Sequence, residues 1–196
     1  MKNKNNTILN LNEHIKILKD QKIYLLKEID KFSKIIIKTI LKGGKILIIG
    51  NGGSAADAQH FATELTVKMN KVRKALPVIA LTTDTSALTA IGNDFSFDKI
   101  FSRQIEALMT RKDLLISIST SGNSQNIINA LKFANSRQFK SLNILGNKGG
   151  KAKKYSKHNF IVNSSNPSRV QEVHIIFYQN VCEIIENFFF LKKKFK

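Results

Sequence analysis

Leu114-Leu115-Ile116-Ser117-Ile118-Ser119-Thr120-Ser121-Gly122-Asn123-Ser124 runs from an apolar segment straight into a cluster of small hydroxyl residues, and a helical pattern begins near Ile127. Small hydroxyls at the end of a strand mark a phosphate cradle. A dianionic ester needs several short donors converging from one side. The unpaired backbone N–H groups of a helix N-terminus add theirs, together with a partial positive charge. Gly122 lets the backbone turn closely around the anion, while Ser119, Ser121 and Ser124 each offer a hydroxyl. No Lys or Arg lies within 119–124, which favours hydrogen-bonded recognition of a small phosphate over salt-bridge clamping of a polyanion. Taken alone, such a cluster is more often only a turn followed by an N-cap.

A second segment of the same kind strengthens the ligand reading. Lys45-Ile46-Leu47-Ile48-Ile49 reads as a buried strand, Gly50-Asn51-Gly52-Gly53-Ser54 as a glycine-rich turn, and Ala55 to about Met69 as a helix with Ser54 near its start. The dinucleotide fingerprint G-x-G-x-x-G is not met, because Ala55 stands where the third glycine should fall, and the Gly-Lys-Ser/Thr ending of a P-loop is missing as well. A nucleotide is therefore not the first ligand to expect.

Outward from these two segments the chain alternates. Strands are expected at 45–49, 78–82, 114–118, 141–145 and 159–162, with helices at 55–69, 85–92, 98–109, 124–136 and 167–190. That order predicts an α/β fold: a doubly wound parallel sheet with helices on both faces and ligands at the carboxyl ends of the strands, where both loops lie. Ahead of the first strand, apolar residues at helical spacing from Glu13 to about Leu41 form one long helix or two joined near Lys19 to Lys22, ending at Gly43-Gly44. Helices before the first strand cannot be sheet crossovers. Residues 1–44 are therefore expected to be a helical oligomerisation segment, and 45–196 the single α/β domain.

Composition narrows the class. A chain of 196 residues suits one domain with a substantial core. Cys182 has no partner for an internal disulfide and reads as an inert core thiol. No signal-peptide pattern or membrane-length apolar segment is visible, so a cytoplasmic protein without a membrane partner is expected. The net charge of +18 comes from lysines scattered along the whole chain, which reads as compositional bias and not as a nucleic-acid face. The one dense run, Lys192 to Lys196, reads as a solvated, frayed tail.

Several polar residues stand out by position. His60 and Glu64 share one helix face just beyond the glycine turn, suited to a metal, to acid and base work, or to a plain surface pairing. Asn93-Asp94 closes a helical segment, where it could bind sugar hydroxyls or form a cap. Arg169, Gln171, Glu172 and His174 open the last helix after Pro167, with Ser168 or Asn166 able to cap it.

Together the motifs GNGGSAADAQHFATEL (50–65), PVIALTTDTSALTAIGNDFSF (77–97), ISTSGNS (118–124), GNKGGK (146–151) and RVQEVH (169–174) resemble the sugar isomerase (SIS) domain, and within it the phosphoheptose isomerases. The resemblance implies a flavodoxin-like three-layer fold and interconversion of sedoheptulose 7-phosphate and D-glycero-D-manno-heptose 7-phosphate. It implies substrate contacts from Asn51, Gly52, Gly53, Ser54, Glu64, Asn93, Asp94, Ser119, Thr120, Ser121, Ser124 and Gln171. It also implies one zinc per subunit on His60, Glu64 and Gln171, Glu64 as the proton-moving carboxylate, and a homotetramer bundled through its N-terminal helices. Gln179 stands where the family carries the histidine that serves as fourth ligand and second acid/base, and Ser168 where it commonly carries an aspartate. Those two positions keep open a phosphosugar-binding regulator of the type that binds the replication initiator protein DnaA. An isomerase of another sugar phosphate is also open, because the loops read phosphate and hydroxyls without counting carbons.

Overall fold

In a computed structural model, which describes residues 2–194, the chain forms a five-stranded parallel sheet in the order β2-β1-β3-β4-β5. The strands are β1 (Ile46–Gly50), β2 (Val78–Ala80), β3 (Leu114–Ser119), β4 (Lys140–Gly146) and β5 (His158–Val162). Each lies within a residue or two of its expected place. β1 and β3 are buried along their whole length and, apart from Ser117 and Ser119 in β3, made of apolar residues and Gly50, as befits strands covered on both faces. Successive side chains then serve opposite cores. Ile46, Ile48, Ile116 and Ile118 face one core, and Leu47, Ile49 and Leu115 the other.

The helices are α1 (Lys2–Leu41), α2 (Gly53–Thr66), α3 (Thr85–Asp94), α4 (Ile100–Leu108), α5 (Gln125–Ser136) and α6 (Pro167–Lys194), with short 3-10 turns at Phe97–Lys99 and Ala152–Tyr155. α1, α2 and α6 cover one face of the sheet, while α4 and α5 cover the other. This is the doubly wound arrangement expected. The switch in winding direction falls between β1 and β3, the two strands whose loops carry the motifs.

Two differences from expectation have simple causes. α1 is one helix, unbroken at Lys19 to Lys22, because no Gly or Pro interrupts it before Gly43, which ends it at a φ of 75°. Its C-terminal half packs into the sheet core through Ile29, Phe32 and Ile36, while Ile8, Leu9, Leu11, Ile15, Ile23 and Leu26 stay exposed. At the other end, α6 runs on to Lys194, so the lysine run continues a helix up to that point. Phe195 and Lys196 lie outside the described residues. Cys182 is buried, and burial pushes its thiol pKa well above the usual value, as befits an inert core residue.

A buried polar line crosses the sheet at one register level. Ser117 Oγ donates to Asn143 Oδ1 at 2.8 Å, and Asn143 Nδ2 donates to Asn159 Oδ1 at 2.8 Å and to the Ala152 carbonyl at 3.1 Å. Every partner is satisfied. The line therefore anchors the loop after β4 without leaving an unpaired polar group.

Candidate active site

The serine loop gets its shape from glycines that pack backbone against backbone. Gly122 sits at a φ of 63°, and a Cβ there would come within 2.2 Å of the Gly149 carbonyl oxygen. Only glycine fits both the dihedral and the gap. Lys151 N–H donates to Asn123 Oδ1 at 3.0 Å and Ala152 N–H to the Gly122 carbonyl at 2.9 Å, so the 146–151 motif forms the wall behind the loop. Inside the loop, Ser119 Oγ accepts from Gly122 N–H and Ser121 Oγ from Asn123 N–H, each at 3.1 Å. Both hydroxyls keep their own protons to donate. Ser124 is the N-cap residue of α5 yet makes no side-chain capping bond, and Thr120 stands partly exposed beside it. These residues surround the amino end of a helix at the switch point, the setting in which an anion is favoured.

The glycine-rich turn after β1 joins this loop to a second cluster. Asn51 and Asn126 exchange amide hydrogen bonds of 2.8 and 2.9 Å, tying the turn to the first residues of α5. Gly52, at a φ of 54°, is the N-cap of α2, which therefore starts at Gly53, earlier than the pattern suggested, and buries Ser54 in its first turn. Gly53 is pressed against α6: a Cβ there would lie 2.2 Å from Gln171 Nε2. Gln171 in turn donates to Asp57 Oδ2 at 3.3 Å.

One turn and more along α2, side chains of α2 and α6 meet. His60 Nε2 and Glu64 Oε1 are 2.9 Å apart, and Gln179 Nε2 stands 2.9 Å from that imidazole nitrogen and 3.2 Å from the same carboxylate oxygen. On the far side of the ring, His60 Nδ1 lies 3.0 Å from the Tyr178 hydroxyl, which is 3.5 Å from Asp57 Oδ1. The Tyr178 ring stacks on Phe61 and meets His60 edge-on. Glu64 is largely enclosed, its side chain 17% exposed, whereas the His60 side chain is 49% exposed. Burial raises the Asp57 pKa against the pull of Gln171 and Tyr178, and burial together with Asp57 raises that of the Tyr178 phenol.

Of the residues singled out from sequence, Asn51, Gly53, Gln171, His60, Glu64 and Gln179 fall into this continuous arrangement. Asn93 and Asp94 do not. They bond to each other at the exposed end of α3, a helix with no buried residue. Asn166 caps α6 by accepting from Ser168 N–H at 3.1 Å. His174 is fully buried and binds the Leu145 carbonyl through Nε2 at 3.0 Å, a link that holds α6 against β4. Sequence reasoning missed Asp57, Asn126 and Tyr178. The signal for Tyr178 was its helical spacing from Gln171 and His174, which puts all three on one face of α6.

The zinc implied by the family resemblance finds a poor donor set here. Among the described residues, no three His, Cys, Asp or Glu side chains gather so as to hold a metal. His60 and Glu64 are ordinary zinc ligands, but positions 171 and 179 contribute neutral amides, and Gln171 already donates to Asp57. The residues present do not fit a resident zinc. A separate cavity of about 530 Å³, bounded by Lys38, Lys140 and His158, lies at the amino ends of β3, β4 and β5, away from the motif loops.

The SIS domain family model matches residues 11–146. The phosphoheptose isomerase of Aliarcobacter butzleri is 55% identical over 159 residues, covering 81% of this chain and 84% of the relative. Phosphoheptose isomerase 1 of Campylobacter jejuni is 51% identical over 177 residues, covering 90% and 95%. Among solved structures, the phosphoheptose isomerase of Neisseria gonorrhoeae superposes with a TM-score of 0.87 at 39% identity, covering 94% of this chain and 98% of that one. Matched along most of its length in sequence and in fold, the chain belongs to the SIS-domain family and, within it, to the phosphoheptose isomerases.

Proposed function

We propose that this protein interconverts sedoheptulose 7-phosphate and D-glycero-D-manno-heptose 7-phosphate by proton transfer through an enediol. The observation that carries the reading is the pairing of two loops at one switch point. Asn51 is tied to Asn126 behind the serine loop, and two residues on, Gly53 lies against Gln171 beside the Glu64 cluster. A phosphate anchored at one end of the substrate would bring the carbonyl end toward an enclosed carboxylate.

In this reading the hydroxyls of Ser119, Thr120, Ser121 and Ser124 and the amino end of α5 hold the phosphate. Glu64 removes a proton from C1 of the ketose, the C1–C2 double bond forms, and the C2 carbonyl electrons move onto O2. Passage of the O1 proton to O2 and return of the carbon-bound proton from Glu64 to C2 then give the aldose. An amide donor of Gln171 would stabilise charge on the enediolate oxygens, while Gln179 holds Glu64 and His60 in place. Gln179 does not titrate, so it contributes hydrogen bonds, and His60 is the titratable neighbour of Glu64. Asn93 and Asp94, which stand apart from this cluster within one chain, reach sugar hydroxyls in this reading only at a site that the homotetramer completes.

A homotetramer built through α1 is part of the proposal. It is supported by the exposed Ile8, Leu9, Leu11, Ile15 and Ile23, and by α3 having no buried residue within one chain. Cytoplasmic residence is proposed on the dianionic substrate, which does not cross a bilayer unaided. No helix among the described residues is long and apolar enough to span a membrane.

Proton NMR of the purified protein with sedoheptulose 7-phosphate in heavy water tests the reaction. Aldose signals with deuterium at C2 are expected. Broadened ligand lines with neither product nor exchange would replace the isomerase by a phosphosugar sensor.

A further inference from the structure

Three atoms from two helices close a small triangle at the heart of the site: His60 Nε2, Glu64 Oε1 and Gln179 Nε2, with edges of 2.9, 3.2 and 2.9 Å. Gln179 Nε2 donates to the Glu64 carboxylate at 3.2 Å and lies 2.9 Å from the imidazole nitrogen, so its amide closes over both groups. The edge between ring nitrogen and carboxylate oxygen has the length of an ordinary N–H···O bond, which the tautomer carrying its proton on Nε2 donates to Glu64. On the opposite side of the ring, the Tyr178 hydroxyl meets Nδ1 at 3.0 Å, and the stacking of Tyr178 on Phe61 keeps that hydroxyl in place. The imidazole is thus held at both nitrogens by protein groups.

A zinc in this position would meet a different balance. Its ordinary protein ligands are thiolate, imidazole and carboxylate, and catalytic sites use three of them. Here there are two, and the amide that completes the triangle turns hydrogen-bond donors, not a lone pair, toward them. Amides bind zinc more weakly than imidazole nitrogen or carboxylate oxygen, and two of the candidate positions hold amides. The other amide, Gln171, is held by Asp57 and packed against Gly53.

We infer that this active site works without a resident zinc: Gln179 brackets His60 and Glu64 from α6, and Tyr178 fixes the ring from behind. The inference rests on the isomerase reading for its chemistry but not for its test. Gln179 and Tyr178 are positioning residues here. They keep the base and its titratable neighbour in one geometry that a bound metal would otherwise impose. The change at position 179 is then a replacement of a metal ligand by a hydrogen-bonding bracket, not a loss of the site.

The test reads metal directly, without substrate. The full chain is purified from zinc-supplemented cells, its metal content is measured by mass spectrometry, and the chelated protein is titrated calorimetrically with zinc. The expected result is far less than one zinc per chain and no stoichiometric high-affinity uptake, with Gln179→His gaining both. One zinc per chain in the unaltered protein, removed by chelation and regained on titration, overturns the inference. So does a Gln179→His variant that folds, by circular dichroism, but takes up no zinc, because position 179 would then not be what withholds the metal. Turnover of sedoheptulose 7-phosphate is followed separately in the same samples. Unchanged rates after chelation are expected, and a rate that needs added zinc overturns the inference. Absence of turnover in every metal state counts against the isomerase reading and leaves the zinc measurements to stand on their own.

Discussion

The serine loop and the α2–α6 cluster are two halves of one site held together by different means. The loop is shaped by backbone: positive-φ glycines, N–H groups turned inward, and the Gly149-Gly150 segment pressed against Gly122. The cluster is shaped by side chains reaching between helices, with Tyr178 and Gln179 meeting His60 across more than a hundred residues of sequence. A backbone cradle is indifferent to most substitutions around it, so it keeps its form when neighbours change. A side-chain cluster can exchange one kind of support for another, as Gln179 suggests, provided that the groups doing chemistry stay in register. Phosphate binding and proton transfer should therefore be separable by mutation.

The sharpest separation is expected from Glu64→Gln. The amide keeps the shape and loses the base, so turnover should fall by about 10²- to 10⁴-fold while the sugar phosphate still binds. Rate and ligand titration on the same variant check this. Unchanged turnover would remove Glu64 from the role of base. The reverse separation is expected from Gly122→Ala, whose new methyl would meet the Gly149 carbonyl oxygen at 2.2 Å and sit at an unfavourable dihedral. Affinity for the phosphosugar should drop by about tenfold or more, at a local cost of roughly 1–3 kcal/mol. A variant with unaltered affinity and melting temperature would show that the loop is not the phosphate site.

The same division explains what could be read from the chain. Strand order, the two loops and their place at the switch point follow from local patterns: apolar runs of strand length, glycines at turns, and helical spacing after each turn. The unbroken α1 followed from the lack of any breaker, although the spacing alone left a joint open near Lys19 to Lys22. Tertiary pairing of side chains has no such local mark. Asn126 looks like any first-turn residue until Asn51 is seen opposite it. Asp57 reads as a surface acid of an amphipathic helix, yet it is buried and bonded to Gln171 and Tyr178. Gln171, expected to face a metal, instead donates to that aspartate, because α6 packs against α2 closely enough for Gly53 to touch it.

Within the cluster, a smaller effect distinguishes positioning from packing. Tyr178→Phe keeps the ring that stacks on Phe61 and removes only the hydroxyl facing His60 Nδ1 and Asp57. If the hydroxyl orients the ring, kcat should fall by about tenfold with KM little changed, since an interaction felt mainly in the transition state has been lost. Equal loss in kcat and in thermal stability would mark the hydroxyl as structural only.

Acid should loosen this half of the site through His174, which lies on α6 between Gln171 and Tyr178. Its burial, only partly offset by the hydrogen bond to Leu145, lowers its pKa from 6.5 to about 4, so the folded protein holds it neutral. The unfolded chain takes up a proton near pH 6.5 that the folded chain refuses until about pH 4. Stability from the neutral ring is therefore complete above the unfolded value and is lost as pH falls through that window. Denaturant unfolding should show a loss of about 2 kcal/mol from this residue between roughly pH 7 and pH 5. His174→Gln, which keeps a donor for the Leu145 carbonyl but cannot titrate there, should flatten that part of the curve. If the slope persists in the variant, another group carries it. If it vanishes, His174 is the group through which acid acts, and it does so at the contact that holds α6, with Gln171, Tyr178 and Gln179, against β4.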